Sequence, residues 1–249
     1  MNINQLRSIL PILLVIAIFN GCSKNSDDTG TITLNFKGYV DNEELLLSKE
    51  YLNHDNQKFR IEILKFYLSN LKLIDKKGEV LVDSVELVIF SESNSTTGGF
   101  GASANIEIPV GEYTGLKYTI GLDPVKNHND PSLFSSSHPL SSFQNMHWDW
   151  AMGYFFLRYE GKFATDPDSA LTYPFSYHIG RDPYSSEIDL SSETFDISAN
   201  KTTEIEIKVD VKKLLVGIDM IDFNITHSTS KFDKIEIISN NFVDTFTKF

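Results

Sequence analysis

The chain has 249 residues, with 34 acidic against 22 basic side chains, a formal net charge of −12 and a single cysteine. Acid excess of this size argues against a nucleic-acid partner and against charge-driven binding to anionic lipid, because both need a positive surface. One cysteine leaves no intrachain disulfide, so stability has to come from a buried core, and the length suits one large all-β domain or two small ones.

Met1 to Gly21 carries one basic residue, Arg7, then the apolar run from Ile9 to Phe19, then small and polar residues. This is the layout of a signal peptide, and the run is too short for a spanning helix, which needs roughly 20 apolar residues. Cys22 follows Gly21 directly, in a pattern that resembles a bacterial lipobox. The resemblance implies cleavage before Cys22 and lipid on its sulfur; the alternative is an ordinary signal peptide with an incidental cysteine. Residues 22–30 are short and polar, with Asp27 and Asp28, and read as a flexible tether between lipid and fold. The expected place is the cell envelope, as an outer-membrane lipoprotein facing the periplasm or the outside.

Residues 31–249 are expected to form one domain. Thr31 to Val40 alternates with period two, the mark of a strand with one buried face. Phe59 to Ile74 is the longest β-favouring run and contains no Gly or Pro; its parity shifts near Leu64, which predicts a bulge or bend. Asp75-Lys76-Lys77-Gly78 is a hairpin turn signal leading into a strand over Glu79 to Phe90. Ser91 to Gly101 reads as a loop, followed by strands over Asn105 to Val110 and Tyr113 to Leu122. Asp123 to Gln144 holds three prolines and a serine cluster, a length that is uncommon in a compact domain unless it carries a site or is mobile.

That segment runs into Asn145-Met-His-Trp-Asp-Trp150, which contains both tryptophans of the chain. On a strand, Met146, Trp148, Trp150 and Met152 line one side, with His147 and Asp149 on the other. Thioether and imidazole are donors that soft metals favour. Trp and Met also fill cores, and plain core packing is the competing explanation. Further on, Pro174 to Ile179 reads as a short strand, Gly180 to Ser192 as a loop, Phe195 to Ile197 and Thr202 to Val211 as strands, and Val211 to Val216 as a helical turn. The last stretch, from Ile235 to Phe246, is ambiguous between a strand and a short amphipathic helix. Turn-punctuated short strands without sustained helical period predict an all-β fold, a single β-sandwich of roughly ten antiparallel strands with long loops.

Four segments in order look like the MbnP-like family of exported bacterial proteins: Gly121-Leu-Asp-Pro-Val-Lys-Asn-His128-Asn-Asp130, the Met-x-Trp-x-Trp stretch, Gly153-Tyr-Phe-Phe-Leu-Arg-Tyr-Glu-Gly161, and Phe175-Ser-Tyr-His178-Ile-Gly180. Phe66-Tyr-Leu-Ser-Asn-Leu-Lys-Leu73, Gly111-Glu-Tyr113 and Asn241-Phe-Val-Asp-Thr-Phe246 extend the likeness over nearly the whole mature chain. The sequence departs from the family at Ala151-Met152, where the pattern often has a Gln-Ser or Gln-Gly. What the resemblance implies is copper, bound in characterised relatives by imidazoles and an oxidised tryptophan, kynurenine, made by a di-haem partner of the MauG type. Carried over by motif, His128 and His178 become the imidazole ligands, Trp148 or Trp150 the oxidisable indole and Met146 a thioether candidate. His147 ranks below these two histidines, and Asp130 is a candidate carboxylate for orienting His128. His54, His138 and His227 stand in polar loops and read as surface residues.

The leading expectation is a lipid-anchored copper-binding protein for acquisition, storage or delivery. The alternative is a non-catalytic cell-surface binding or adhesion module whose Trp and Tyr residues form a platform for a glycan or protein. An enzyme ranks lowest, because no nucleophile elbow, His-Glu-x-x-His, phosphate loop or cysteine nucleophile is present.

Overall fold

The computed structural model describes residues 28–47, 49–92, 99–149, 151–191, 194–226 and 231–248. The expected leader, Cys22, most of the tether, Trp150 and His227 lie outside the described residues. In chain order the strands are β1 (Thr29–Val40), β2 (Glu43–Glu44), β3 (Tyr51–Leu52), β4 (Lys58–Asp75), β5 (Gly78–Ile89), β6 (Gly101–Pro109), β7 (Gly111–Tyr113) and β8 (Gly115–Ile120). A segment of short helical turns follows, beginning with the one-turn helix α1 (Pro124–Asn127). Then come β9 (His147–Asp149), β10 (Gly153–Phe163), β11 (Tyr173–Gly180), β12 (Ser186–Leu190), β13 (Phe195–Ile197), β14 (Thr202–Asp210), the helix α2 (Phe232–Asp244) and β15 (Phe246–Lys248).

Among the described residues these strands make a five-stranded sheet ordered β15-β14-β1 with β2 and β6 beside β1, an eight-stranded sheet built around β4 in the order β11-β10-β4-β8-β12 with β3, β5 and β9 beside this path, and a separate β7–β13 pair. The two larger sheets face each other. They pack as a β-sandwich. Its centre is an aromatic cluster in which Phe36 of one sheet meets Phe66 of the other edge-to-face at 5.4 Å, with Tyr118, Phe242 and Phe246 around them. Phe66 is fully buried, a burial that contributes about 1.5–3 kcal/mol. No helix among the described residues is long and apolar enough to cross a membrane.

The strand pattern follows the sequence closely in places. The β4–β5 hairpin turns through Lys76-Lys77, and Asp75 Oδ1 accepts the Lys77 and Gly78 amides. The expected parity shift near Leu64 appears as a register break against β10 between Ile61 and Ile63, and a second break falls at Asn70, whose φ is +50°. Three features differ from expectation. β1 and β14 run parallel, because alternation reports which face is buried and carries nothing about the direction of the neighbour. Residues 186–190, read as loop, form a strand on the edge of β8. The ambiguous end is helical, with Ile235, Ile238, Ser239 and Phe242 buried at helical spacing.

β4 and β10 present hydrocarbon on both faces. Phe66, Leu68, Leu157 and Tyr159 point into the sandwich, whereas Tyr67, Tyr154, Phe155 and Phe156 form a second, outer cluster with Leu122, Leu140 and Met146. The long 123–146 segment covers that outer cluster. Its turns are capped by Asp123, Asp130 and Ser141, and two tyrosine hydroxyls pin it, Tyr67 to the Pro139 carbonyl at 2.9 Å and Tyr154 to the Leu140 carbonyl at 2.8 Å.

Candidate metal centre

The start of β10 fixes the centre. Gly153 has φ of +78°, and a Cβ there would stand 2.3 Å from Asn127 Oδ1, so only glycine lets the buried Asn127 side chain lie against the strand. Asn127 Oδ1 accepts the Tyr154 amide at 2.8 Å, and its Nδ2 donates to Asp182 Oδ1 at 2.7 Å. The other oxygen of Asp182 lies 3.2 Å from Nε2 of His128, the residue that ends α1. Asp182 follows Arg181, which holds a strained positive φ of +83° and stacks its guanidinium on Phe232.

His178 lies on β11 and is 8% exposed. Its amide donates to Thr226 Oγ1 at 2.7 Å, and its Nε2 is 2.6 Å from Glu160 Oε1 and 3.0 Å from Ser176 Oγ. The same Glu160 oxygen accepts Arg158 Nε at 2.8 Å and Nη2 at 2.6 Å. These bonds, led by the one to His178, hold the Glu160 carboxyl down at about 2. Arg158 sits between Lys65 of β4 and His178 of β11 in register, and burial with the Arg158 charge beside it pushes the Lys65 amine down. Ser176 and Glu160 meet the same ring nitrogen, so these residues do not form a Ser-His-acid relay, which needs opposite nitrogens.

His178 and the residue before His128 contact adjacent residues of β10. His128 follows Asn127, which holds the Tyr154 amide, while the His178 ring lies 4.5 Å from Phe155. Trp148 also packs on Phe155, at 5.1 Å, and is half-buried. His147 stands edge-on to Tyr154 at 4.9 Å. The alternation expected of this strand thus appears as two neighbouring contacts, one on each of two neighbouring rings. Met146 is fully buried in the outer cluster, and its carbonyl accepts the Phe155 amide at 2.7 Å. Burial pushes the Tyr154 hydroxyl up to about 12, with Asp130 adding to the effect.

Two placements differ from the sequence reading. Asp130, expected beside His128, instead caps the 131–133 turn by accepting the Ser132 amide and hydroxyl, and Asp182 is the carboxylate on His128. An Asp two residues before a Ser after a proline is a turn cap by local chemistry, and that competes with reaching the imidazole. His138, expected at the surface, is half-buried; it stacks on Phe134 at 4.3 Å and accepts the Leu140 amide through Nδ1. Glu160, Arg158 and Asp182 were not singled out by the sequence. The signal for Arg158 and Glu160 was the outward pair Arg-x-Glu on one strand opposite Ser-x-His on the next, which becomes legible once the register is known. No group of three His, Cys, Asp or Glu side chains converges as a metal site among the described residues.

A family model described as MbnP matches residues 29–232. The chain belongs to the MbnP family. Among solved structures it resembles MbnP from Methylosinus trichosporium, with a TM-score of 0.58 and 16% identity over 81% of this chain and 82% of that one. At that identity the likeness shows a common fold. No curated protein matches the sequence.

Proposed function

We propose that this MbnP-family chain is an exported, lipid-anchored copper-binding protein that serves copper acquisition, storage or delivery. It would hold the ion through the Nδ1 atoms of His128 and His178, and Cys22 would carry the lipid. One observation carries the reading: each of the two imidazoles has a carboxylate on Nε2, Asp182 on one and Glu160 on the other. A carboxylate can only accept, so it fixes the proton on Nε2 and turns the Nδ1 lone pair toward a metal. Two neutral imidazoles fit copper, which leads the divalent affinity order and in its reduced form accepts few ligands.

Trp148, packed on the ring that also touches His178, is the described indole best placed for oxidation by a di-haem partner. Its half-burial against Phe155 disfavours a flat, exposed platform for glycan. Titration of the purified protein with Cu(I) and Cu(II) tests the reading. Wild type should bind about one equivalent, and His128→Ala combined with His178→Ala should lose it. Unchanged stoichiometry and affinity in the double variant would remove these histidines from the site.

A further inference from the structure

Arg158 hydrogen-bonds to two parts of the centre at once. Two of its nitrogens, Nε and Nη2, donate to one oxygen of Glu160, and the third, Nη1, donates to the Asn145 carbonyl at 3.0 Å. Asn145 is a left-handed residue, with φ of +55°, that ends the turn over Ser142–Gln144 and delivers the chain to Met146, His147 and Trp148. Glu160 in turn holds Nε2 of His178 at 2.6 Å. A guanidinium keeps its charge under all ordinary conditions and presents its donors in a rigid fork, so the three contacts are set by one planar group.

We propose that Arg158 and Glu160 are a positioning couple: Glu160 dictates that His178 presents Nδ1 to the metal, and Arg158 locks that carboxylate to the turn that carries Trp148. The proposal rests on the copper reading above, and it names two residues that do not touch the ion. A carboxylate with a fixed direction leaves the neutral imidazole one tautomer, with its lone pair on Nδ1. Residues that hold a ligating histidine in this way typically account for about 10–100-fold in metal affinity.

The test compares wild type with Glu160→Gln, Glu160→Asp, Arg158→Gln and Arg158→Lys. Nitrogen NMR of the metal-free, histidine-labelled protein reads the His178 tautomer, and competition against a chromogenic Cu(I) chelator reads affinity. Wild type should show His178 protonated at Nε2. Glu160→Gln should give a tautomer mixture and an affinity about 10–100-fold weaker, Glu160→Asp should recover part of both, and Arg158→Lys should lose less than Arg158→Gln. Thermal unfolding identifies any variant that fails to fold, and Arg158→Lys then supplies the same two readings. A folded Glu160→Gln with the wild-type tautomer and an affinity within about twofold overturns the couple. A wild type without Cu(I) affinity overturns the copper reading instead, while the nitrogen shifts still decide whether Glu160 directs the ring.

Discussion

His178 and His128 each meet a carboxylate at Nε2, and they are held in opposite ways. His178 projects from a strand, is nearly buried, and is gripped by Glu160, Ser176 and Thr226. His128 ends a one-turn helix, has its side chain 43% exposed, and its ring is oriented by Asp182. The strand histidine is therefore fixed by the sheet, whereas the loop histidine depends on the buried Asn127 that anchors its turn. On the copper reading proposed above, His178 would be the preorganised ligand and His128 the more exposed one.

The largest expected effect attacks the loop side. Gly153→Ala puts a Cβ against Asn127 at a positive φ, and should destabilise the fold by about 3 kcal/mol or more, read as the urea midpoint. A loss under about 1 kcal/mol would mean that Asn127 is not the anchor. The next separates the two histidines. His178→Ala should weaken Cu(I) binding by about 100-fold and His128→Ala by about 10-fold, because the preorganised ligand has less ordering to offset. The reverse ranking would break the comparison.

The grip on His178 has a pH signature. The folded-state pKa of Glu160 is lowered from 4.5 to about 2, so its stabilisation is fully present above pH 4.5 and is lost as pH falls through about 2. Wild type should exceed Glu160→Gln by about 1–3 kcal/mol at pH 7, and the gap should narrow steadily on acidification between those two values. A gap that is constant with pH would show that the carboxylate charge is not what holds the ring. The smallest effect belongs to the exposed pair: Asp182→Asn should cost at most about 1 kcal/mol of stability, because the asparagine carbonyl can still accept from Asn127 Nδ2, and its main influence should fall on the His128 tautomer. An Asp182→Asn loss comparable to that of Glu160→Gln would erase the difference between the two sides.

The same contrast explains what could be read from the sequence. Strand-borne features were legible, since period-two alternation exposes the buried face of β1, β4 and β14, and the Asp75-to-Gly78 turn is fixed by local bonds. His128 and His178 were reached through motif likeness. Their carboxylates were not, because Glu160 meets His178 across a strand pair broken by a register shift and Asp182 meets His128 over 54 residues of chain. The parallel β1–β14 pair was hidden for a related reason, as it joins the two ends of the domain. Met146 and Trp148 illustrate the overlap of two chemistries: the former is wholly absorbed into the outer cluster, and the latter packs on its margin beside Phe155.

X-ray absorption at the copper edge of the copper-loaded protein tests the central claim most directly, because imidazole rings give a multiple-scattering pattern that can be counted. The account predicts two imidazoles on the ion in wild type and one in either single histidine variant. A spectrum without imidazole scattering, or one unchanged when His128 and His178 are both replaced, would contradict it.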